Sequence, residues 1–305
     1  MKCQHLTSGR RSAGGFSLIE LMISLALGLV ISVAALSAYI GASGATKVTE
    51  AQSRMNEDGQ AALLILTQQI RMAGYLPNPA HTGNKAMNIR GCDGVFTVAD
   101  APAADNLACN GDSSTTDADS IYINYEADTR NTVASAGMIP TDCLGNELAV
   151  ITDSPPNYYF VDNRFYIDTS DNTVNLYCKG NGSDTAQPLV ENIENLQLTY
   201  GVVEPLTGSM TVASNPVSGR RVAGYLNAHE FATQASLSGL TDTDRWSRVI
   251  SVRICLLVRS EKPVVTDANS AKYFNCAGIL TSAPDHDLRL RHTYTTTVVV
   301  RSRRV

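Results

Sequence analysis

The feature that most constrains this chain is an apolar run of 25 residues, Phe16 to Ile40, that contains a single charge, Glu20. As an α-helix, at 1.5 Å per residue, it would span ~37 Å. That is enough to cross the ~30 Å hydrocarbon core of a bilayer. The run opens on Gly14-Gly15-Phe16-Ser17-Leu18-Ile19-Glu20-Leu21-Met22, and no Lys or Arg follows Glu20 within reach on the same helix.

A carboxylate inside an apolar span costs roughly 2.5–3.5 kcal/mol on insertion scales, so one found there generally has a partner or an interfacial position. The residues before the run carry Lys2, Arg10 and Arg11, no acids, and end in Gly-Gly. A secretory signal places its cleavage site after the apolar region at an A-x-A-like sequence. Here the plausible processing site precedes it. The arrangement resembles the signal of type IV prepilins and related pseudopilins, with an ordinary signal anchor as the alternative. The resemblance implies cleavage by a prepilin peptidase between Gly15 and Phe16, followed by N-methylation of Phe16. It also implies that the Glu20 carboxylate meets the terminal amine of a neighbouring subunit. An α-amino group with a pKa near ~8 stays cationic, and pairing offsets the desolvation of both charges.

With 305 residues, removal of a 15-residue leader leaves enough chain for one sizeable core. The formal charge is −5; without Lys2, Arg10 and Arg11 it is 21 basic against 29 acidic residues, −8. Such acidity argues against wrapping nucleic acid, which needs clustered Lys or Arg to neutralise phosphates. The three N-terminal cations place the tail on the cytoplasmic side by the positive-inside rule, and hence everything after Ile40 in the periplasm. Beyond Cys3 in the leader, six cysteines remain: Cys92, Cys109, Cys143, Cys178, Cys255 and Cys276. An even count in an oxidising compartment reads as disulfides. Six cysteines allow fifteen connectivities. The nearest-neighbour set, Cys92–Cys109, Cys143–Cys178 and Cys255–Cys276, is taken as the working expectation, each loop contributing ~3 kcal/mol. Metal ligation is the rival reading, but no C-x-x-C pair or Cys/His cluster has zinc spacing.

Past Gly41 the helical period continues in amphipathic form. Val48, Met55, Ala62, Leu66, Ile70 and Ala73 recur at helical spacing, with Lys47, Glu50, Arg54, Glu57 and Asp58 pointing elsewhere. Gly74 supplies a stop, and Pro77 and Pro79 forbid continuation. Phe16 to about Ala73 therefore reads as one helix, with Gly28, Gly41, Gly44 and Gly59 as places of weakness. Its soluble half needs a sheet to lie on. The ending Ile70-Arg71-Met72-Ala73-Gly74-Tyr75 resembles minor pilins of the PilW type and, more loosely, the J-type pseudopilin of type II secretion. The same residues also serve simply as a helix end with Gly74 as its cap.

Residues 77–118 read as a solvated connector. Asp112, Asp117 and Asp119 lack the spacing of a calcium loop. Strands are expected at Ser120–Tyr125, Glu147–Thr152, Tyr158–Asp168 and Thr173–Cys178. Leu189–Gly201 should end as a strand, and 203–242 reads as an inserted loop or short helix. Arg248–Arg259 is the clearest strand. It sets Ile250, Val252, Ile254, Leu256 and Val258 on a core face, opposite Ser251, Arg253, Cys255, Leu257 and Arg259 on a largely wet one. Trp246 reads as a core or edge anchor, with ligand binding the alternative. The pattern from Trp246 through Val258-Arg259-Ser260 again resembles the PilW type. A last strand is expected over His292–Arg301. The basic end Arg301-Ser302-Arg303-Arg304 is either a solvated tail or a contact to an acidic neighbour.

Catalytic patterns are missing from the sequence. His5, His81, His229, His286 and His292 are scattered, and neither a G-x-S-x-G elbow nor a Walker-type loop occurs. No enzyme, metal or cofactor is indicated. The expected organisation is α+β: leader 1–15, membrane half-helix 16–40, amphipathic half-helix 41–74, and a β-rich, disulfide-stapled periplasmic domain 75–305. The resemblance implies a minor pilin at or near a pilus tip, priming assembly with other minor pilins and the major pilin. It would pass from the inner membrane, through the prepilin peptidase and the inner-membrane assembly platform, to the cell-surface pilus. Because a tip-most subunit can lack the carboxylate, Glu20 implies that this subunit sits below another. A J-type secretion pseudopilin and a tip adhesive module built on 203–242 are the alternatives. Twitching motility, adhesion, DNA uptake and secretion all remain open as outputs.

Overall fold

The structure, a computed structural model, describes residues 15–78, 81, 88–97, 107–110, 117–170, 173–203, 222–234, 237, 239–284 and 287–300. Helix α1 runs from Leu18 to Met72 without interruption, through all four glycines. The chain divides into two compact units, Met1–Thr49 and Glu50–Val305. The first is treated with the candidate site below.

In the second unit α1 buries Met55, Gly59, Ala62, Leu66 and Ile70, one stripe at steps of three and four. The helix stops where Gly74 takes φ +76°, a conformation that costs glycine little. Its N–H then donates to the Asn124 carbonyl at 2.8 Å, and the Tyr75 N–H returns to the Met72 carbonyl at 2.8 Å. The stop therefore also fastens the chain to the first sheet.

That sheet is antiparallel, in the order β1 (Ile89–Cys92), β4 (Ser120–Ala127), β5 (Tyr159–Ser170), β6 (Thr173–Lys179), β7 (Gln187–Glu191). The second has the order β13 (Arg291–Val299), β10 (Val249–Arg259), β8 (Ile193–Val203), β9 (Val222–Leu226). Two small ribbons, β2 (Val95–Phe96) with β3 (Cys109–Asn110) and β11 (Tyr273–Phe274) with β12 (Leu280–Thr281), complete the described strands. Helices α2 (Ala228–Thr233) and α3 (Asp242–Trp246) are short. The stripe of α1 meets both sheets. Gln69 Oε1 accepts from Tyr125 Oη at 3.3 Å and Asn163 Nδ2 at 2.9 Å on the first. Gly59 faces Tyr294 of the second, so closely that a Cβ there would lie 2.6 Å from the ring. A glycine that looks like a weak point in the sequence is thus the site of closest approach.

The sheets are also stitched directly. Asp119 donates its N–H to the Leu196 carbonyl at 2.7 Å and accepts from Leu198 N at 2.6 Å. Burial, with the charge of Asp93 added, pushes its carboxyl up to about 8, against the lowering effect of the Leu198 N–H. Trp246 is buried edge-on to Tyr200 and Phe231, both at 4.9 Å between ring centroids.

Several sequence expectations need correction. The 77–118 stretch is not only a connector: it supplies β1, β2 and β3, and Asp119 just beyond it is buried; Asp112 lies outside the described residues. Glu147–Thr152 forms only isolated bridges at Glu147 and Ile151. Just before it, the Asp142 carboxylate organises a turn by accepting from the N–H groups of Leu144, Asn146 and Gly182. Leu189–Gly201 breaks at Asn192, φ +62°, into β7 and β8, which belong to different sheets. Within 203–242, residues 204–221 lie outside the described residues and the rest includes β9 and α2. The outer face of β10 is only partly wet, since Ser251, Cys255 and Leu257 are buried. The disulfides, by contrast, are the expected nearest-neighbour set, Cys92 to Cys109, Cys143 to Cys178 and Cys255 to Cys276. The basic tail 301–304 lies outside the described residues.

Gly59→Ala should destabilise the protein by about 1–3 kcal/mol through overpacking, and Tyr294→Leu in the same chain should recover part of that loss in a double-mutant cycle. Asp119 has a raised carboxyl pKa in the folded state. Its stabilising share is therefore complete below the unfolded value near 3.8 and is lost as pH rises towards about 8. Asp119→Asn keeps the acceptor for Leu198 N–H and should flatten this dependence, with a higher Tm than the parent at pH 8, measured by thermal unfolding.

Candidate functional site: the N-terminal helix

Over its described residues the first unit is a helix that leaves its apolar side chains exposed. Fifteen large apolar side chains between Phe16 and Ile40 are exposed, Phe16 at 89%. Burying each is worth about 1.5–3 kcal/mol, so water disfavours the bare helix by tens of kcal/mol. The few kcal/mol that a single interfacial carboxylate costs cannot reverse this. The helix is long and apolar enough to cross a membrane.

Its polar atoms are prepared for an apolar medium. Ser24 Oγ donates to the Glu20 carbonyl at 2.8 Å, Ser32 Oγ to Gly28 at 2.8 Å and Ser37 Oγ to Val33 at 2.9 Å. Thr46 and Thr49 repeat the pattern towards Ala42 and Ala45. Each of these five hydroxyls is satisfied by its own helix, which suits an apolar medium.

Glu20 is held at the helix start. Its Oε2 accepts from Ser17 N at 3.0 Å and from Ser17 Oγ at 3.1 Å, while its own N–H donates to Ser17 Oγ at 3.2 Å. Ser17-Leu18-Ile19-Glu20 is therefore a capping box. The sequence pattern S-x-x-E announces it, so Glu20 has a local role beside any contact with another chain. The cap draws the carboxylate back over the first turn, towards Phe16. Oε2 thus caps the helix, and among the described residues Oε1 accepts from no donor.

The remaining singled-out residues do not converge here. His81 is buried against Glu126 at 2.9 Å and stacked 4.0 Å from Tyr158; His292 lies edge-on to Tyr294. His5 and His286 lie outside the described residues. Among the described residues no group of three or more His, Cys, Asp or Glu is placed to hold a metal.

Residues 10–36, which include the diglycine and Glu20, match the prokaryotic N-terminal methylation motif. Residues 164–302, from mid-β5 to the end of β13, match the family described as Type IV Pilus-assembly protein W. Together the two matches support a PilW-type type IV pilin. Among curated proteins none matches it. A type IV-like pilin from Thermus thermophilus aligns with 81% of this chain and 97% of its own, at 12% identity and a TM-score of 0.34. The methylation motif covers the capped helix start, and the PilW-matched segment includes all of the second sheet.

Ser17→Ala removes the capping hydroxyl at a cost of about 1 kcal/mol. Hydrogen exchange in lipid nanodiscs should then show faster exchange at the amides of residues 18–21 and unchanged exchange beyond Gly28.

Proposed function

We propose that this pilin is a minor subunit that primes and joins a type IV pilus at or near its tip. Peptidase cleavage between Gly15 and Phe16 would release residues 1–15, and Phe16 would carry the methylated amine. The helix then leaves lipid for a bundle of like helices, an exchange of one apolar medium for another that costs little hydrophobic free energy. Direction and stagger must come from polar groups, and Glu20 is the one charge in the apolar run. Its carboxylate would receive the cationic amine of an adjacent subunit, a pairing strengthened where water is absent. The single observation that carries this reading is the bare apolar helix whose lone carboxylate keeps an oxygen free at the N-terminal turn. The proposed partners are other minor pilins, the major pilin and the inner-membrane platform, with the globular domain periplasmic until assembly.

Glu20→Ala should leave leader removal intact, seen as the normal shift of the precursor band, while recovery of the chain with sheared pili falls by about tenfold or more, the loss of one charged pair in a dry environment. Normal incorporation would sink the pairing. Gly15→Val should leave an unshifted precursor in the membrane fraction.

A further inference from the structure

On the second sheet, the positions turned away from the Val252–Val258 core face form a patch fixed by strand register. Along β10 these are Ser251, Arg253, Cys255 and Leu257. Opposite them lie Gly201, Thr199, Gln197 and Asn195 on β8, and Val299, Thr297, Thr295 and Thr293 on β13. None of these positions is acidic, although the chain as a whole carries −5. At the centre Arg253 is exposed, with its guanidinium 4.0 Å over the ring of Tyr225 on β9. Tyr225 is itself held by a 3.2 Å hydrogen bond between its hydroxyl and Ser251 Oγ. Next to Arg253 on the edge strand, Thr295, Thr297 and Val299 are exposed.

The contrast with other arginines is informative. Arg291 is gripped by Glu194 at 3.0 Å and by Asp287 at 2.5 Å, and Arg54 pairs with Glu50 at 2.8 Å. Among the described residues Arg253 enters no ion pair. Stacking restricts its planar fork in advance, so less side-chain entropy is lost when it binds a carboxylate. A stacked Arg with Tyr, ringed by hydroxyls and an exposed Val, has the composition of an interface hot spot. A single guanidinium on an acidic chain does not suit a polyphosphate, which needs clustered cations.

We propose that this face docks a carboxylate-bearing protein surface, with Arg253 forking onto an Asp or Glu and Thr297 and Val299 packed beside it. The surface is independent of the helix pairing proposed above. The test uses the full-length chain in its own cells, with photoactivatable benzoyl-phenylalanine at Thr297. Irradiation should give a protein adduct whose mapped partner peptide contains Asp or Glu. The adduct should fall by roughly tenfold or more in Arg253→Glu and by a smaller factor in Arg253→Lys, which keeps the charge but loses the stacked fork. An adduct indifferent to Arg253→Glu, an adduct to lipid or nucleic acid, or no adduct would each overturn the proposal. Co-purification of other pilins with the Arg253→Glu chain reads the helix-borne assembly separately, so failure of one reading is distinguishable from failure of the other. Because Arg253 is exposed, equal Tm values for parent and variants are expected and exclude a folding defect.

Discussion

Because α1 is apolar on every side up to Ile40 and on a single stripe from Met55 to Ile70, water has to be kept from it in two different ways. The stripe is covered by the protein's own sheets, and that burial organises the globular unit. Gln69 fixes the helix to the first sheet by two hydrogen bonds, and Gly59 lets the second sheet close to van der Waals distance. The all-round apolar segment has no such cover in its own unit. Its exposed side chains represent far more unfavourable hydration than one carboxylate could offset. A medium other than water must therefore surround it.

Several of the polar groups left in or near these apolar regions are used to fasten the chain. Hydroxyls of the anchor segment bond to their own helix backbone, and the capping box uses one oxygen of Glu20. In the globular unit the Asp93 carboxylate takes the first N–H groups of α2 at 2.8 and 3.1 Å. Asp119 ties β4 to β8 across the two sheets. Asp119 is the expensive one, because burial and the charge of Asp93 both oppose its ionisation. Its value lies in geometry: it joins two sheets that share no strand.

Against this background the groups that remain available gain meaning. Glu20 Oε1 at one end of the chain and the Arg253 fork on the outer face of the second sheet are opposite charges without a partner among the described residues. Both proposals assign these groups to contacts with other chains. One would act in an apolar environment where a single pair is strong; the other would act at a wet surface where preorganisation matters more than charge.

Local chemistry by itself determined a good deal. The apolar length, the single carboxylate in it, the S-x-x-E cap, the stop at Gly74 and the alternating run of β10 each depend on residues within a turn or a strand, so the sequence is sufficient to read them. Tertiary structure decided what depends on distant partners. It placed β1 at a sheet edge, reduced the strand expected over 147–152 to isolated bridges, and divided 189–201 between two sheets at Asn192. It also chose one cysteine pairing out of fifteen, buried Asp119, and covered half of the expected wet face of β10. Each of those outcomes turns on which segments far apart in the chain come to share a desolvated space, and periodicity within a segment carries no information about that.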